Sequence, residues 1–95
     1  MKATISFELV DKKIGDEDVA GLVSLDTDPK SNDLGKRMIQ MIESIADPKI
    51  VVGFADPNDI LFFINHDWLS GGIYDGKVLV ASEPISEENF DGNIW

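Results

Sequence analysis

The most constraining part of the sequence is residues 49–65, where two apolar runs are joined by Asp56-Pro57-Asn58-Asp59. These four residues are typical of a type I turn, because Asp is favoured at its first position and proline presets φ at its second. The stretch therefore predicts a β-hairpin. Its second arm, Ile60–Ile64, has no polar residue, as in a strand buried on both faces. We expect this arm at the centre of a sheet.

Two earlier segments predict the first strands of that sheet. Residues 3–10 alternate apolar with polar side chains, which is the period-two pattern of a strand with one face in water. Residues 19–25 predict a second strand, antiparallel to the first, in which Gly21 marks a weak point or a bulge. The charged connection, residues 11–18, is expected to be a loop that turns at Gly15.

Residues 34–46 predict one amphipathic helix, because apolar residues recur there at spacings of three and four. The stripe consists of Leu34, Met38, Met41, Ile42 and Ile45. Ser31, Asn32 or Asp33 can cap the start of the helix, and Asp47-Pro48 ends it. We expect the stripe to cover one face of the hairpin, which carries Ile50, Val52, Phe54, Ile60, Phe62 and Ile64.

The C-terminal part predicts a second hairpin. Asp75-Gly76 indicates a type I′ turn between Ile73-Tyr74 and residues 77–81, and Ser86 can cap a short helical turn that follows. The whole chain, residues 1–95, is predicted to be a single α+β domain. It would have a mainly antiparallel sheet in the order ββαβββ, one amphipathic helix packed on one face, and a short C-terminal helical turn.

The other face of the predicted hairpin has no second long helix to cover it. Either the terminal segment with Ile85, Phe90 and Trp95 folds back over it, or another chain does. In the second case the chain is a structural subunit that forms a homodimer or a larger assembly. The candidate contacts of that interface are Val51, Leu61 and Phe63.

The composition excludes several classes of protein. The chain has no cysteine, which removes disulfides, cysteine-ligated zinc and thiol catalysis. The start of the sequence alternates in polarity, unlike a signal peptide, and no run approaches the roughly 18 apolar residues that a membrane span needs. We therefore expect a cytoplasmic protein without a membrane partner.

The charge is strongly negative, with 18 Asp and Glu against eight Lys and Arg and a formal net charge of −10. From residue 50 onward the only base is Lys77, and it stands against Asp56, Asp59, Asp67, Asp75, Glu83, Glu87, Glu88 and Asp91. Such a surface repels nucleic acid and anionic membranes and favours a basic protein partner. The alternative is that the acidity serves only solubility or reflects a salty habitat.

No pattern in the chain indicates a catalytic, metal or cofactor site. The acidic segment at residues 26–33 fails the EF-hand pattern, which needs an oxygen ligand at position five, Gly at six and Glu at twelve. The corresponding residues are Lys30, Ser31 and Arg37. His66 is the only histidine, which excludes a multi-histidine metal site. The chain is therefore predicted not to be an enzyme.

These observations predict a non-catalytic, acidic interaction module that binds a basic surface of another protein. An inhibitor, an immunity-type protein or a nucleic-acid mimic would all act in this way. The eight carboxylates would supply the charge, and aromatic residues would supply short-range contact. The predicted aromatic contacts are Trp68, Tyr74 and Trp95.

Overall fold

The structure is a computed structural model that describes residues 2–95. Its elements are β1 (Thr4–Ile14), β2 (Glu17–Asp28), α1 (Asn32–Ala46), β3 (Ile50–Ala55), α2 (Ile60–Ile64), β4 (Leu69–Tyr74) and β5 (Lys77–Ala81). The strands form one sheet in the order β1-β2-β3-β5-β4. Only β2 and β3 are parallel, so the predicted α+β class and mainly antiparallel sheet are confirmed. The predicted order ββαβββ is wrong, because a helix lies between β3 and β4.

The second arm of the predicted hairpin is this helix, α2. Pro57–Asp59 forms a 3₁₀ turn, which runs directly into α2. Proline suits the start of a helical segment, because it has no N–H to satisfy and its φ is already close to the helical value. A short apolar run does not distinguish a buried strand from a helix, and α2 buries Phe63 while Leu61 is 69% exposed. Only β3, the first arm, lies at the centre of the sheet.

The hairpin of β1 and β2 is longer than predicted. Both strands continue through the charged connection to a two-residue turn at Gly15-Asp16, so the expected loop at residues 11–18 is wrong. Charged side chains fit these strand positions because they are exposed, and Lys13 forms an ion pair with Asp18, its partner across the strands. The register shifts further along, where Val23 is left without a partner in β1.

Helix α1 covers one face of the sheet. It begins after Ser31, whose Oγ accepts a hydrogen bond from the Leu34 N–H at 3.1 Å, and Asp47 is its C-cap. The core beneath it contains Val51 and, from α2, Phe63. We expected α1 on the face of Val52 and no helix on the face of Val51. The helix covers the face of Val51, so this prediction is wrong. Alternation along a strand separates two faces but does not say which of them a helix will cross.

The opposite face is covered by residues 82–95, which form neither a helix nor a strand. Ile85, Phe90 and Trp95 pack there against a second core, whose buried members are Ile14, Val19, Val52, Leu79 and Ala81. The terminal segment therefore does fold back over the sheet, but onto the face of Val52. Both faces of the sheet are covered within the chain.

The hairpin of β4 and β5 closes through Asp75-Gly76, as predicted. Both residues have a positive φ, of 52° and 76°, which a type I′ turn requires and which glycine adopts without a steric cost. The pairing with β5 shifts between Ser70 and Ile73, so the two glycines between them form an irregularity in β4.

The predicted helical turn from Ser86 to Asn89 is wrong. The chain makes a single turn there, in which the Phe90 N–H donates to the Glu87 carbonyl at 3.0 Å. Because the segment has no regular backbone pairing, side chains hold it in place, both through apolar packing and through the hydrogen bonds that Glu87 accepts.

Candidate interaction surface

Trp68, one of the three predicted aromatic contacts, is a core residue. Its side chain is 2% exposed, and its ring lies 5.3 Å from that of Phe63. Its indole N–H donates to Glu43 Oε1 at 2.7 Å, which connects the segment before β4 to α1. A buried indole needs such an acceptor, because an unpaired N–H loses its hydrogen bonds to water. Trp68 therefore holds the fold together and is not available to a partner.

Tyr74 is half-buried at the end of β4. Its hydroxyl donates to Glu87 Oε1 at 2.7 Å, and the same oxygen accepts the Gly72 N–H at 2.9 Å. The hydrogen bond to the Glu87 carboxylate, with burial and the negative charge beside it, raises the pKa of Tyr74 above its ordinary value. Glu87 thus fastens the terminal segment to β4, which is a structural role for two of the predicted partner-binding residues.

Trp95 lies across β2 at Gly21. A Cβ on Gly21 would come within 2.9 Å of the indole nitrogen, so the absence of a side chain makes room for the ring. The ring also meets Phe54 edge-on at 4.8 Å, and Lys12 Nζ lies 5.9 Å from its centroid. Its buried Nε1 has no hydrogen-bond partner within residues 2–95. All three predicted aromatic contacts therefore pack within the chain.

The predicted acidic residues are mostly on the surface. Asp56 forms an ion pair with Lys77, the one base after residue 50. The other seven carboxylates form no salt bridge within residues 2–95. Glu87 is half-buried, and the remaining six are exposed: Asp59, Asp67, Asp75, Glu83, Glu88 and Asp91. The C-terminal half therefore keeps an excess of negative charge at the surface.

Several of these carboxylates lie around β4, an edge strand of the sheet. Asp67 precedes the strand, and Asp75 follows it in the turn to β5. Glu83 lines a shallow groove of about 220 Å³ together with Leu69 of the strand. The strand itself carries no charged residue, and its Ile73 is 72% exposed. We call this arrangement, β4 with Asp67, Asp75 and Glu83, the acidic edge.

The three residues of the predicted second-face interface lie in different environments. Val51 and Phe63 are buried in the core beneath α1, and only Leu61 of the three is exposed. They do not form a common surface, since α1 and α2 already cover that face. Leu61 and Ile64 are the exposed apolar residues of α2.

A cleft that the sequence patterns did not indicate opens at the end of the parallel pair. β2 pairs with β3 only as far as Leu22 and Gly53, and beyond that point a cleft of about 420 Å³ separates them. Apolar and charged side chains both line it, among them Leu22, Met38, Phe62, Asp26, Lys30, Asp56, Asp59 and Lys77. The signal in the sequence is that Asp26 and Asp56 each follow an apolar run, and the ends of parallel strands lie at the same edge of a sheet.

The charges of this cleft are largely satisfied within the chain. Lys30 pairs with Asp26, and Lys77 pairs with Asp56. The hydrogen bond from Lys30, together with its positive charge, lowers the pKa of Asp26 below its ordinary value. Within residues 2–95, no group of three or more His, Asp or Glu side chains is placed to hold a metal ion. The unpaired charge lies mainly elsewhere, including the acidic edge.

No protein-family model, curated protein or solved structure matches the chain. Neither α1 nor α2 is long and apolar enough to cross a membrane, and the same holds for every helix within residues 2–95.

Proposed function

We propose that the protein is a non-catalytic, acidic module that binds a basic surface of another protein through its C-terminal half. The observation that supports this most directly is the charge distribution. After residue 50 the only base is Lys77, and Asp56 already pairs with it; the seven further carboxylates form no salt bridge within residues 2–95. Complementary charge accelerates association and selects among partners.

The acidic edge is the proposed centre of this surface. Asp67, Asp75 and Glu83 surround an uncharged strand whose Leu69 and Ile73 are exposed. Trp68, Tyr74 and Trp95 support the surface from within rather than contacting the partner. An inhibitor, an immunity-type protein or a nucleic-acid mimic would use such a surface, because each offers negative charge to a basic binding site.

A matched pair of triple variants tests the location of the binding charge. In one, Asp67→Asn, Asp75→Asn and Glu83→Gln neutralise the acidic edge; in the other, Glu8→Gln, Asp28→Asn and Asp47→Asn remove three exposed carboxylates from elsewhere. Both variants change the net charge by the same amount. Asn tolerates the positive φ of Asp67 and Asp75, so the backbone is preserved.

The probe is a lysine-rich peptide, titrated by calorimetry from ~0.01 M to ~1 M salt, over which the Debye length falls from about 30 Å to about 3 Å. We expect affinity to fall steeply with salt and to fall further in the acidic-edge variant than in its control. Affinity that is independent of salt would contradict the proposal, as would equal losses in the two variants.

A homodimer is the second candidate function. The exposed apolar residues Leu61 and Ile64 on α2 favour it, because contiguous exposed apolar surface often marks an interface. Light scattering after size exclusion at tens of micromolar distinguishes a dimer from a monomer. A monomer at every salt concentration would eliminate this candidate.

A further inference from the structure

The two edges of the sheet differ in a way that matters for binding. The first edge, β1, carries Glu8, Asp11, Lys12 and Lys13 along its length. Charged residues on an edge strand, and lysine in particular, oppose pairing with another strand. The second edge, β4, has the sequence LSGGIY and no charged residue. Of the two edges, β4 is therefore the one without charged side chains. Its irregularity at Gly71-Gly72, where the Gly72 N–H already donates to Glu87, restricts pairing to the part of the strand near Ile73.

The backbone of β4 offers unpaired groups at Ile73, beyond the irregularity at Gly71-Gly72. Tyr74 and Lys77 flank the two-residue turn, and such a closing pair exchanges hydrogen bonds across the hairpin. The neighbouring pair, Ile73 with Val78, is then of the non-hydrogen-bonded type, so the N–H and C=O of Ile73 face away from β5. The exposed side chain of Ile73 leaves that backbone accessible.

The charges around β4 decide between the strands that could pair with it. A second copy of this chain, added antiparallel about a two-fold axis, would bring Asp67 of each copy towards Asp75 of the other. Like charges placed opposite each other disfavour strand pairing. A segment with lysine or arginine at its ends would instead meet opposite charge at both ends of β4.

We propose that β4 is a strand-addition site, at which an extended segment of a basic partner pairs as a sixth strand. The segment has basic residues at both ends and uncharged, strand-forming residues between them, and its backbone pairs with Ile73, next to the irregularity at Gly71-Gly72. This inference rests on the proposed function and adds the mode of recognition to it. The backbone ladder would supply affinity, and the acidic residues would select the basic partner.

Two peptides of equal charge test this mode on the full chain. One is Lys-Lys-Thr-Val-Thr-Val-Lys-Lys, and the other replaces both valines by proline, which removes N–H donors and disfavours the ladder. Two protein variants accompany them: Ile73→Lys at the acidic edge, and Ile45→Lys on α1 as a control of equal charge and similar exposure. Circular dichroism and thermal melting establish that both variants are folded.

We expect the valine peptide to bind the unmodified chain roughly tenfold more tightly than the proline peptide, as the loss of one or two net hydrogen bonds implies. Ile73→Lys should weaken valine-peptide binding by about the same factor relative to Ile45→Lys. Amide exchange at Ile73 should slow when the valine peptide is bound. These three results together support strand addition at β4.

Other outcomes separate this inference from the proposed function. Equal, salt-sensitive binding of both peptides would overturn strand addition and leave the acidic module standing. Binding of neither peptide at low salt would overturn both. Self-association that grows with salt and is abolished by Ile73→Lys would assign the edge to a second copy of the chain and overturn the inference.

Discussion

The indole N–H of Trp68 donates to Glu43 Oε1 at 2.7 Å and joins the segment before β4 to the last turn of α1. We expect Glu43→Ala to reduce the free energy of unfolding by about 1–3 kcal/mol, because it leaves a buried donor without a partner. Glu43→Gln retains an acceptor and should cost less. Gln40→Ala, an exposed change on the same helix, should stay within about 0.5 kcal/mol of the unmodified chain. Equal losses for Glu43→Ala and Gln40→Ala in chemical denaturation would contradict the structural role of this bond.

The packing of Trp95 on Gly21 makes a second prediction. In Gly21→Ala the new methyl group would clash with the indole and with Lys12, and we expect a loss of about 1–3 kcal/mol. Trp95→Leu removes the ring, so the same glycine substitution should cost less in that background. The two changes should couple by about 0.5–3 kcal/mol in a double-mutant cycle. Additive losses would show that Trp95 does not occupy this position.

The raised pKa of Tyr74 predicts that the free energy of unfolding depends on pH in the alkaline range. The hydrogen bond to Glu87 raises its pKa above the ordinary value of 10.0, so the folded state holds the proton more strongly than the unfolded state. This contribution to stability is complete below the unfolded pKa and is lost as the pH rises through the folded pKa.

The tyrosinate absorbance of the folded chain measures this shift directly, because Tyr74 is the only tyrosine. Its midpoint should lie above that of the chain unfolded in urea. Glu87→Gln keeps an acceptor but removes the charge, so it should move the midpoint back towards the unfolded value. Identical midpoints in the folded and unfolded chains would contradict the bond between Tyr74 and Glu87.

The helical form of Ile60–Ile64 predicts unequal effects of two neighbouring substitutions. Phe63→Ala should cost about 3–5 kcal/mol, because it removes a buried ring from the core beneath α1. Leu61→Ala should cost less than about 1 kcal/mol, because that side chain is mostly exposed. In a strand buried on both faces the two substitutions would both be costly. Comparable large losses in thermal unfolding would therefore contradict the helix.

Local signals in the sequence predicted much of the secondary structure. Ser31 caps α1, and Asp75-Gly76 forms the predicted turn, because each depends on the chemistry of one or two residues. The strand predicted at Ile60–Ile64 is wrong, because a buried apolar run of this length fits either a strand or a helix. The predicted strands of the first hairpin are too short. The residues near Gly15 are charged, but charge does not prevent pairing at exposed strand positions.

The surface was harder to predict than the fold. Aromatic residues such as Trp68, Tyr74 and Trp95 are enriched at protein interfaces, but they also fill small cores. The residue type alone does not distinguish these two roles. The excess of carboxylates after residue 50 is a property of the sequence alone. Their arrangement around β4 depends on the strand order, which no local pattern encodes.

Strand β3 belongs to both cores of the molecule. Val51 is fully buried beneath α1, and Val52 is fully buried beneath the terminal segment. β3 also joins the two hairpins, since it pairs with β2 on one side and β5 on the other. Displacing β3 would therefore expose both cores at once. We expect the two cores to unfold together in a single cooperative transition.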